Sequence, residues 1–449
     1  MNMKHLLLAA SLALSGVFTS SAFQAFDTAK AVTSDGSYSD TTAAVGYALG
    51  KHQDGWVVTV GAAGGSYVWN NTLSIGTTNT FTIQGASTNN RPTVLLNTSG
   101  NTGIYLNSAG GVVSILNFIF NSTANQPISS LIGIDGTGVC FRISNCEFLG
   151  TAKSNFGVQV GSINATPTPG PFGLVDHSQF FFPGGNVYNF IQVRANGNVN
   201  GYPWTQPMSW GTVNSVVVEN CAFSQPHAAP VSGLVEADGG ARLTIRYNII
   251  TNIPESTHGI ASGAHLSTLQ VECYENQWVL NDTNNTMPYC FWQRGGTAVV
   301  WSNTIATTSY WNLGKVFYFT EECAESANWQ AESCSQLLTY PFNYPGQQQV
   351  GQGVVNGTQG LVPVYCWGNK TPGTYYGNFA LGNSEDGAFI VQGRDIYTNS
   401  PMPGYTALVY PHPLVASGGT SPGSFPTNTT GNGSVIPPTD LQAHPPTGQ

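Results

Sequence analysis

Charge is what this sequence has least of. Only 8% of its 449 residues are Asp, Glu, Lys or Arg, against roughly a quarter in an ordinary soluble domain. Surface helices are normally solvated by Lys and Glu, so a chain poor in both is not built mainly from them. Gly, Asn, Thr and Ser supply the polarity instead, and they suit turns and hydrogen-bonded ladders. The charge that remains sums to −9. That excludes general nucleic-acid binding, which needs a basic face to displace counterions. It also repels an acidic polysaccharide unless positive charge is concentrated locally. Long apolar runs are scarce too: Leu6 to Val17 is roughly 12 residues, short of the roughly 20 that span a bilayer. Zinc spacings of Cys and His, a phosphate-cradling loop and a nucleophile elbow are all absent.

Lys4, the apolar run and Ser20-Ser21-Ala22 have the layout of a secretory signal peptide over 1–22. The expected location is extracellular or at the cell surface, with no transmembrane segment after cleavage. Eight cysteines in such a chain allow up to four disulfides. Cys323 and Cys334, close together in a polar stretch, are the first choice of pair. Residues 415–449 are rich in Gly, Ser, Thr and Pro and read as a flexible tail.

Between these ends a unit recurs: a β-branched or aromatic strand, then Asn, then one or two apolar residues. It reads Ser-Ile-Leu-Asn117-Phe-Ile-Phe and Arg-Ile-Ser-Asn145-Cys-Glu-Phe, with His177 in place of Asn in the next copy. Asn220, Asn248, Asn276 and Asn303 continue the series at intervals of 28, 32, 43, 28, 28 and 27 residues. Each unit also carries an earlier short strand followed by Gly, as in Ile134-Asp135-Gly136 and Val235-Glu236-Ala237-Asp238-Gly239. Short strands in a repeat of about 28 residues, without helical periodicity between them, predict a solenoid of parallel sheets. The predicted fold is all-β, a right-handed parallel β-helix over 23–414, with a capping helix at about 40–51 that starts on Asp40 and buries Ala44, Val45, Ala48 and Leu49. A turn Asn at the same point of each coil is expected to bond to its counterparts about 4.8 Å above and below. Cys146 and Cys221 then lie two coils apart, too far for a disulfide.

Stacking makes neighbours of distant residues. With Ile134, Ile191, Val193 and Val235 inward, the outward column of the early strand holds Asp135, Gln192 with Arg194, Glu236 with Asp238, and Trp292 with Arg294, with His258 in the coil between. Glu236 and Asp238, at i and i+2, stand about 6–7 Å apart along a strand, near the lower end of an inverting glycosidase pair. Glu236, Asp238, His258 and Arg294 are the candidate catalytic residues. Arg194, Arg242, Arg246 and Trp292 are the candidate substrate-binding residues, Trp292 for stacking on a sugar and the arginines for an anionic group. The competing reading is a solvated face on which Asp238 pairs with Arg194 or Arg294. Asp176, Glu219 and Glu275, each just before its Asn position, read as an exposed acidic stripe; calcium is the one metal implied, either on this stripe or shared between Glu236 and Asp238. His177 reads as a ladder substitute, and His412 as a structural clasp.

Gly-Gly-Ser-Tyr-Val-Trp followed by Phe-Thr-Ile-Gln-Gly85 resembles the opening coils of the pectate-lyase-like superfamily of right-handed β-helices. Arg242-Leu-Thr-Ile-Arg246-Tyr-Asn248, and Gly393-Arg394-Asp395 through His412-Pro-Leu414, are similar to segments of uncharacterised secreted bacterial β-helix proteins. The resemblance implies the fold more strongly than the reaction. The Arg-x-Pro-x-x-Arg motif of pectate lyases is absent, as is the polygalacturonase set, so neither activity transfers residue by residue. The expected function is a secreted, monomeric β-helix protein that binds, and as a lyase or hydrolase cleaves, an extracellular or cell-surface polysaccharide. The alternative is a non-catalytic surface adhesin or structural β-helix.

Overall fold

A computed structural model describes residues 23–416 except 99–100, 109, 123–127, 137, 151–153, 162–170, 183–186, 195–201, 227–232, 260–266, 283–288, 307–315, 321–344, 347, 371–378 and 382–389. The signal segment 1–22, the Cys323–Cys334 pair and tail residues 417–449 lie outside it.

The chain is an all-β parallel solenoid of about nine turns. A typical turn runs through Ile128–Asp135, Cys140–Ser144 and Glu147–Gly150, one strand in each of three sheets. Each strand pairs in parallel with its equivalent one turn away, for example Cys140↔Phe172 and Ile119↔Glu147. We call the sheets first (through Cys140–Ser144), second (through Glu147–Gly150) and third (through Ile128–Asp135). The third ends at Gly233–Asp238, and a four-stranded sheet that starts at Glu255–Ser256 takes over. The amide of Leu234 donating to Pro254 O at 2.8 Å and that of His258 donating to Ala237 O at 2.9 Å join the two. The lumen is filled by stacked like residues. Phe148, Phe180 and Phe223 lie face to face at 4.4 and 4.6 Å, and all are buried.

The opening helix is Tyr38–Leu49, with Thr41, Ala44, Val45 and Ala48 buried. Ser37, not Asp40, is its N-cap: the Ser37 hydroxyl accepts from the Asp40 amide at 3.3 Å. The Asp40 carboxylate instead accepts from the Phe23 and Asp35 amides, both at 2.9 Å, so it fastens the incoming chain.

The Asn series is two columns rather than one. Asn117, Asn145, His177, Asn220, Tyr247, Glu275 and Ser302 all have positive φ, between 49° and 64°, and form the corner where the first sheet turns into the second. Asn tolerates that conformation better than most residues, and Asn145 Nδ2 donates to Asn117 Oδ1 at 2.9 Å. Because Glu219 pairs with Arg246, Asn248 stacks above Cys221, one position past the corner and facing inward. There a second, fully buried ladder runs through Asn248, Asn276, Asn303 and Asn369. Asn248 Nδ2 donates to Asn276 Oδ1 at 2.9 Å, Asn276 Nδ2 to Asn303 Oδ1 at 3.0 Å, and Asn303 Nδ2 to Asn369 Oδ1 at 2.9 Å. Each Oδ1 also accepts the backbone amide of the preceding coil's Asn, or of Cys221. Asn369 lies 66 residues beyond Asn303, past a long insert, which hid it from the 28-residue period.

The same register separates Cys146 from Cys221. Ser178 stands between them, its hydroxyl accepting from the Cys146 amide at 3.2 Å. All six described cysteines are buried free thiols, so the expected disulfide framework is absent among them.

The acidic stripe is a buried feature, not an exposed one. Asp176 and Glu219 are each 0% exposed, and Glu275 alone of the three is half-buried. Asp176 pairs with Arg142 at 2.9 Å and Glu219 with Arg246 at 2.8 Å. What covers them is the segment from Tyr405 to Leu414, which crosses the outer face of the first sheet back toward the N-terminus. Tyr405 packs edge-on against Trp301 and Trp367 and donates to Glu272 at 2.7 Å. The carbonyls of Leu408 and Val409 accept from Arg246 at 2.6 and 3.0 Å. The His412 amide donates to Glu219 at 3.0 Å, and Leu414 O accepts from Arg142 at 3.2 Å. Nine residue steps of about 3.3 Å are enough to cross five rungs of about 4.8 Å. A buried paired aspartate and glutamate offer no open site for calcium.

Three variants test this architecture. Asn276→Ala strips partners from Asn248 and leaves buried backbone groups unmet, which costs about 2–4 kcal/mol. Asn145→Gly on the half-buried corner, where glycine meets the positive φ without strain, costs under about 1 kcal/mol. Urea midpoints measure both, and equal losses would contradict the two-column account. Arg246→Ala leaves Glu219 buried without its cation, at a cost of about 3–5 kcal/mol. Limited proteolysis should then cut between Tyr405 and Leu414, where the parent chain resists.

Candidate functional site

The outer face of the third sheet and its continuation collects the ionisable residues that the first sheet's covered face does not. Register places Gln159, Gln192 and Glu236 in one column, and Arg194 and Asp238 in the next. Gly161 lies beneath Arg194 with φ 81°, and a Cβ there would collide with the Arg194 carbonyl.

Glu236 is held on two sides. Asn189 Nδ2 donates to its Oε2 at 2.6 Å and Gln192 Nε2 to the same oxygen at 3.2 Å. Gln159 Nε2 in turn donates to Gln192 Oε1 at 3.0 Å. His258 Nε2 stands 4.0 Å from Glu236 Oε1. Glu236 and His258 are 12% and 19% exposed, enough for a ligand to reach them. Asp238 is nearly buried and takes a 2.9 Å bond from Arg194 Nε. Burial pushes its carboxyl up to about 6, although Arg194 and His258 pull the other way; Glu236 adds to the rise. A carboxyl that titrates near there can give up or take a proton at physiological pH.

Arg294 follows one coil on. Its guanidinium lies 4.6 Å from the centre of the Trp292 ring, and its Nε donates to Thr257 O at 2.6 Å. Trp292 also packs against Tyr289 at 4.9 Å and Tyr318 at 5.7 Å, and its Nε1 donates to Thr320 at 2.9 Å. Arg294 therefore takes a face of the ring that a sugar was expected to use. Within the coil, Glu255 is a fully buried carboxyl whose Oε2 accepts the Val235 amide at 2.9 Å, and burial pushes it well above the usual carboxylate range.

The four candidate catalytic residues thus share one face, together with Arg194 and Trp292. The other two arginines do not. Arg246 is fully buried under the strap and cannot clamp a ligand. Arg242 lies on the outer face of the first sheet, where its Nη2 donates to Gln206 O and Pro207 O at 3.3 and 3.0 Å. Asn189 was missed. Inward Ile191 and Val193 predict Asn189 inward as well, but Phe190 and Ile191 are both in the core. The alternation slips there and turns Asn189 toward Glu236.

A cavity of about 450 Å³ opens beside Arg194 and Arg242. Another, of about 670 Å³, lies near the first coils among His52, Asn79, Asn107 and Gly136, apart from the carboxylates. Among the described residues no group of three His, Cys, Asp or Glu is arranged to hold a metal, and no helix is long and apolar enough to cross a membrane.

Fold and site together define a parallel β-solenoid with an ionisable cluster on one outer face. No family model and no curated protein matches the chain. Among solved structures, an alginate lyase from Paenibacillus sp. str. FPU-7 is similar over 63% of this chain and 97% of that one, at 14% identity and a TM-score of 0.41. A likeness at that level carries nothing over about activity.

The Asp238 environment sets a pH dependence. Its folded pKa of about 6 lies above the ordinary 3.8, so the folded form binds the proton more tightly. The stabilisation is complete below about pH 4 and fades as pH rises through 6, by on the order of 2–3 kcal/mol. Asp238→Asn removes that slope. Urea midpoints from pH 4 to 7 should diverge between parent and variant, and superimposable profiles would refute the assignment.

Proposed function

We propose that this protein is secreted and binds and cleaves an extracellular polysaccharide on the face that carries Glu236, Asp238 and His258. The observation that carries the reading is the meeting of these three on adjacent coils, with one carboxyl poised near pH 6 and the other oriented by two amides. Asp238 suits the proton donor to a leaving oxygen. Glu236, oriented and partly exposed, suits the base that activates water or removes a proton from the sugar, with His258 beside it. Arg294 borders the cluster and can orient the chain. A long open face on a solenoid fits a polymer better than a small metabolite. The right-handed, pectate-lyase-like reading of the coils belongs to this proposal as well.

One observation favours the non-catalytic alternative. Asp238 is already paired with Arg194, and Arg294 is engaged by Trp292 and Thr257, as expected of a face whose charges are internally satisfied. Purified protein incubated with polygalacturonate, alginate and neutral glycans separates the two. The expected result is new reducing ends or unsaturated ends on one glycan, lost at least 100-fold in Glu236→Gln while glycan binding persists. Binding without product in the parent chain would establish the adhesin reading. Neither binding nor product on any glycan would defeat both.

A further inference from the structure

We propose that the cavity of about 450 Å³ beneath the loop around 202–215 binds a small, sugar-sized organic anion between the guanidinium groups of Arg194 and Arg242. These two residues come from different sheets, Val187–Arg194 in the third and Arg242–Arg246 in the first, and the loop roofs the gap between them. The loop is fixed from below: Trp204 Nε1 donates to Ser267 O at 3.2 Å, the Ser209 amide to Gln270 at 2.9 Å and the Gly211 amide to Glu272 at 2.9 Å. The described part of the loop is therefore tied to the coils beneath it.

Its lining has the chemistry of an anion site. Phe172, Val193 and Met208 provide apolar wall, and Ser209, Thr212 and Ser215 provide hydroxyls. Among the described lining residues there are two arginines and no carboxylate. The whole chain has only 13 Lys and Arg and a net charge of −9, so two guanidinium groups on one hollow are a local reversal of its character. Two backbone carbonyls, Gln206 O and Pro207 O, orient Arg242. The volume suits one or two sugar rings, and Arg forks match carboxylate, sulfate and phosphate alike.

Arg194 belongs to this hollow and to the carboxylate face at once, because its Nε holds Asp238. The coupling that follows rests on the functional reading above; the anion site itself does not. Asp238 is faced by Arg194 from the preceding coil, by Glu236 on its own strand and by His258 from the following coil. When Asp238 is protonated, Arg194 has its charge to give to the ligand. Affinity for the anion therefore rises as pH falls through about 6.

Isothermal titration of the full chain with glucuronate, glucose 6-sulfate, glucose 6-phosphate and inorganic phosphate, with glucose as the neutral control, tests the site. At least one anion should bind tenfold or more tightly than glucose, and the panel distinguishes carboxylate from sulfate and phosphate sources. Arg242→Gln should weaken that binding at least tenfold, with Arg242→Lys intermediate. Should Arg242→Gln misfold, Met208→Trp places a bulkier side chain on the same lining wall and should weaken binding at least tenfold. Glucose binding as well as the anions, or Arg242→Gln and Met208→Trp binding like the parent, overturns the proposal. Anion titration of the parent chain reports this site and the appearance of new glycan ends reports cleavage, so a failure of one is told apart from a failure of the other.

Discussion

The whole molecule depends on one constraint: each coil must hydrogen-bond in register to the coil before and after it, at about 4.8 Å. An isolated coil has no interior, and only the stack buries one. That spacing explains the low charge. Two like charges on successive rungs repel at a distance where water screens only part of the cost and a dry interface screens far less. Where charges do enter the stack each is met by an opposite charge on a neighbouring coil, as Arg142 with Asp176, Glu219 with Arg246, and Arg194 with Asp238, so the carboxylates Asp176 and Glu219, partners in register, each have their own arginine. Neutral amides escape this rule, and Asn248, Asn276, Asn303 and Asn369 can follow one another because each is donor and acceptor at once.

Two outward faces resolve their charge differently. On the first sheet a strap of the chain's own C-terminal part meets the charges with backbone groups and a tyrosine, and the face is closed. Burial there holds Glu272 up to about 7 and pulls His412, in the strap itself, down to about 3, so both are neutral over part of the pH range. On the third sheet and its continuation, no such strap among the described residues covers Glu236 and His258, which keep partial exposure. Function is more readily placed on the face that the fold leaves open.

Much of that open face was legible because it is a matter of register. Gln192 over Glu236 and Arg194 over Asp238 follow from aligning the early strands on their glycines, and the pairing agrees. His258 was reachable only as a residue of the intervening coil, and the backbone bond to Ala237 decides its place. Asn189 was invisible because alternation slips between Phe190 and Ile191, a local irregularity that no period-two count reproduces. Counting Asn residues alone also blurred the corner. From Asn220 to Asn248 the interval is 28 residues but the coil is 27, so that one extra position moves Asn from the outer corner to the inner ladder.

By itself the sequence determined the solenoid, the rise of its coils and the separation of Cys146 from Cys221, because these follow from a repeat that each neighbouring coil reads locally. Only the tertiary structure decided that Asp176, Glu219 and Arg246 are buried and that Arg246 serves the fold. Their covering comes from residues 162 to 272 positions away along the chain. A contact of that range belongs to no repeat, so its effect on burial and charge appears only once the strap is laid across the sheet.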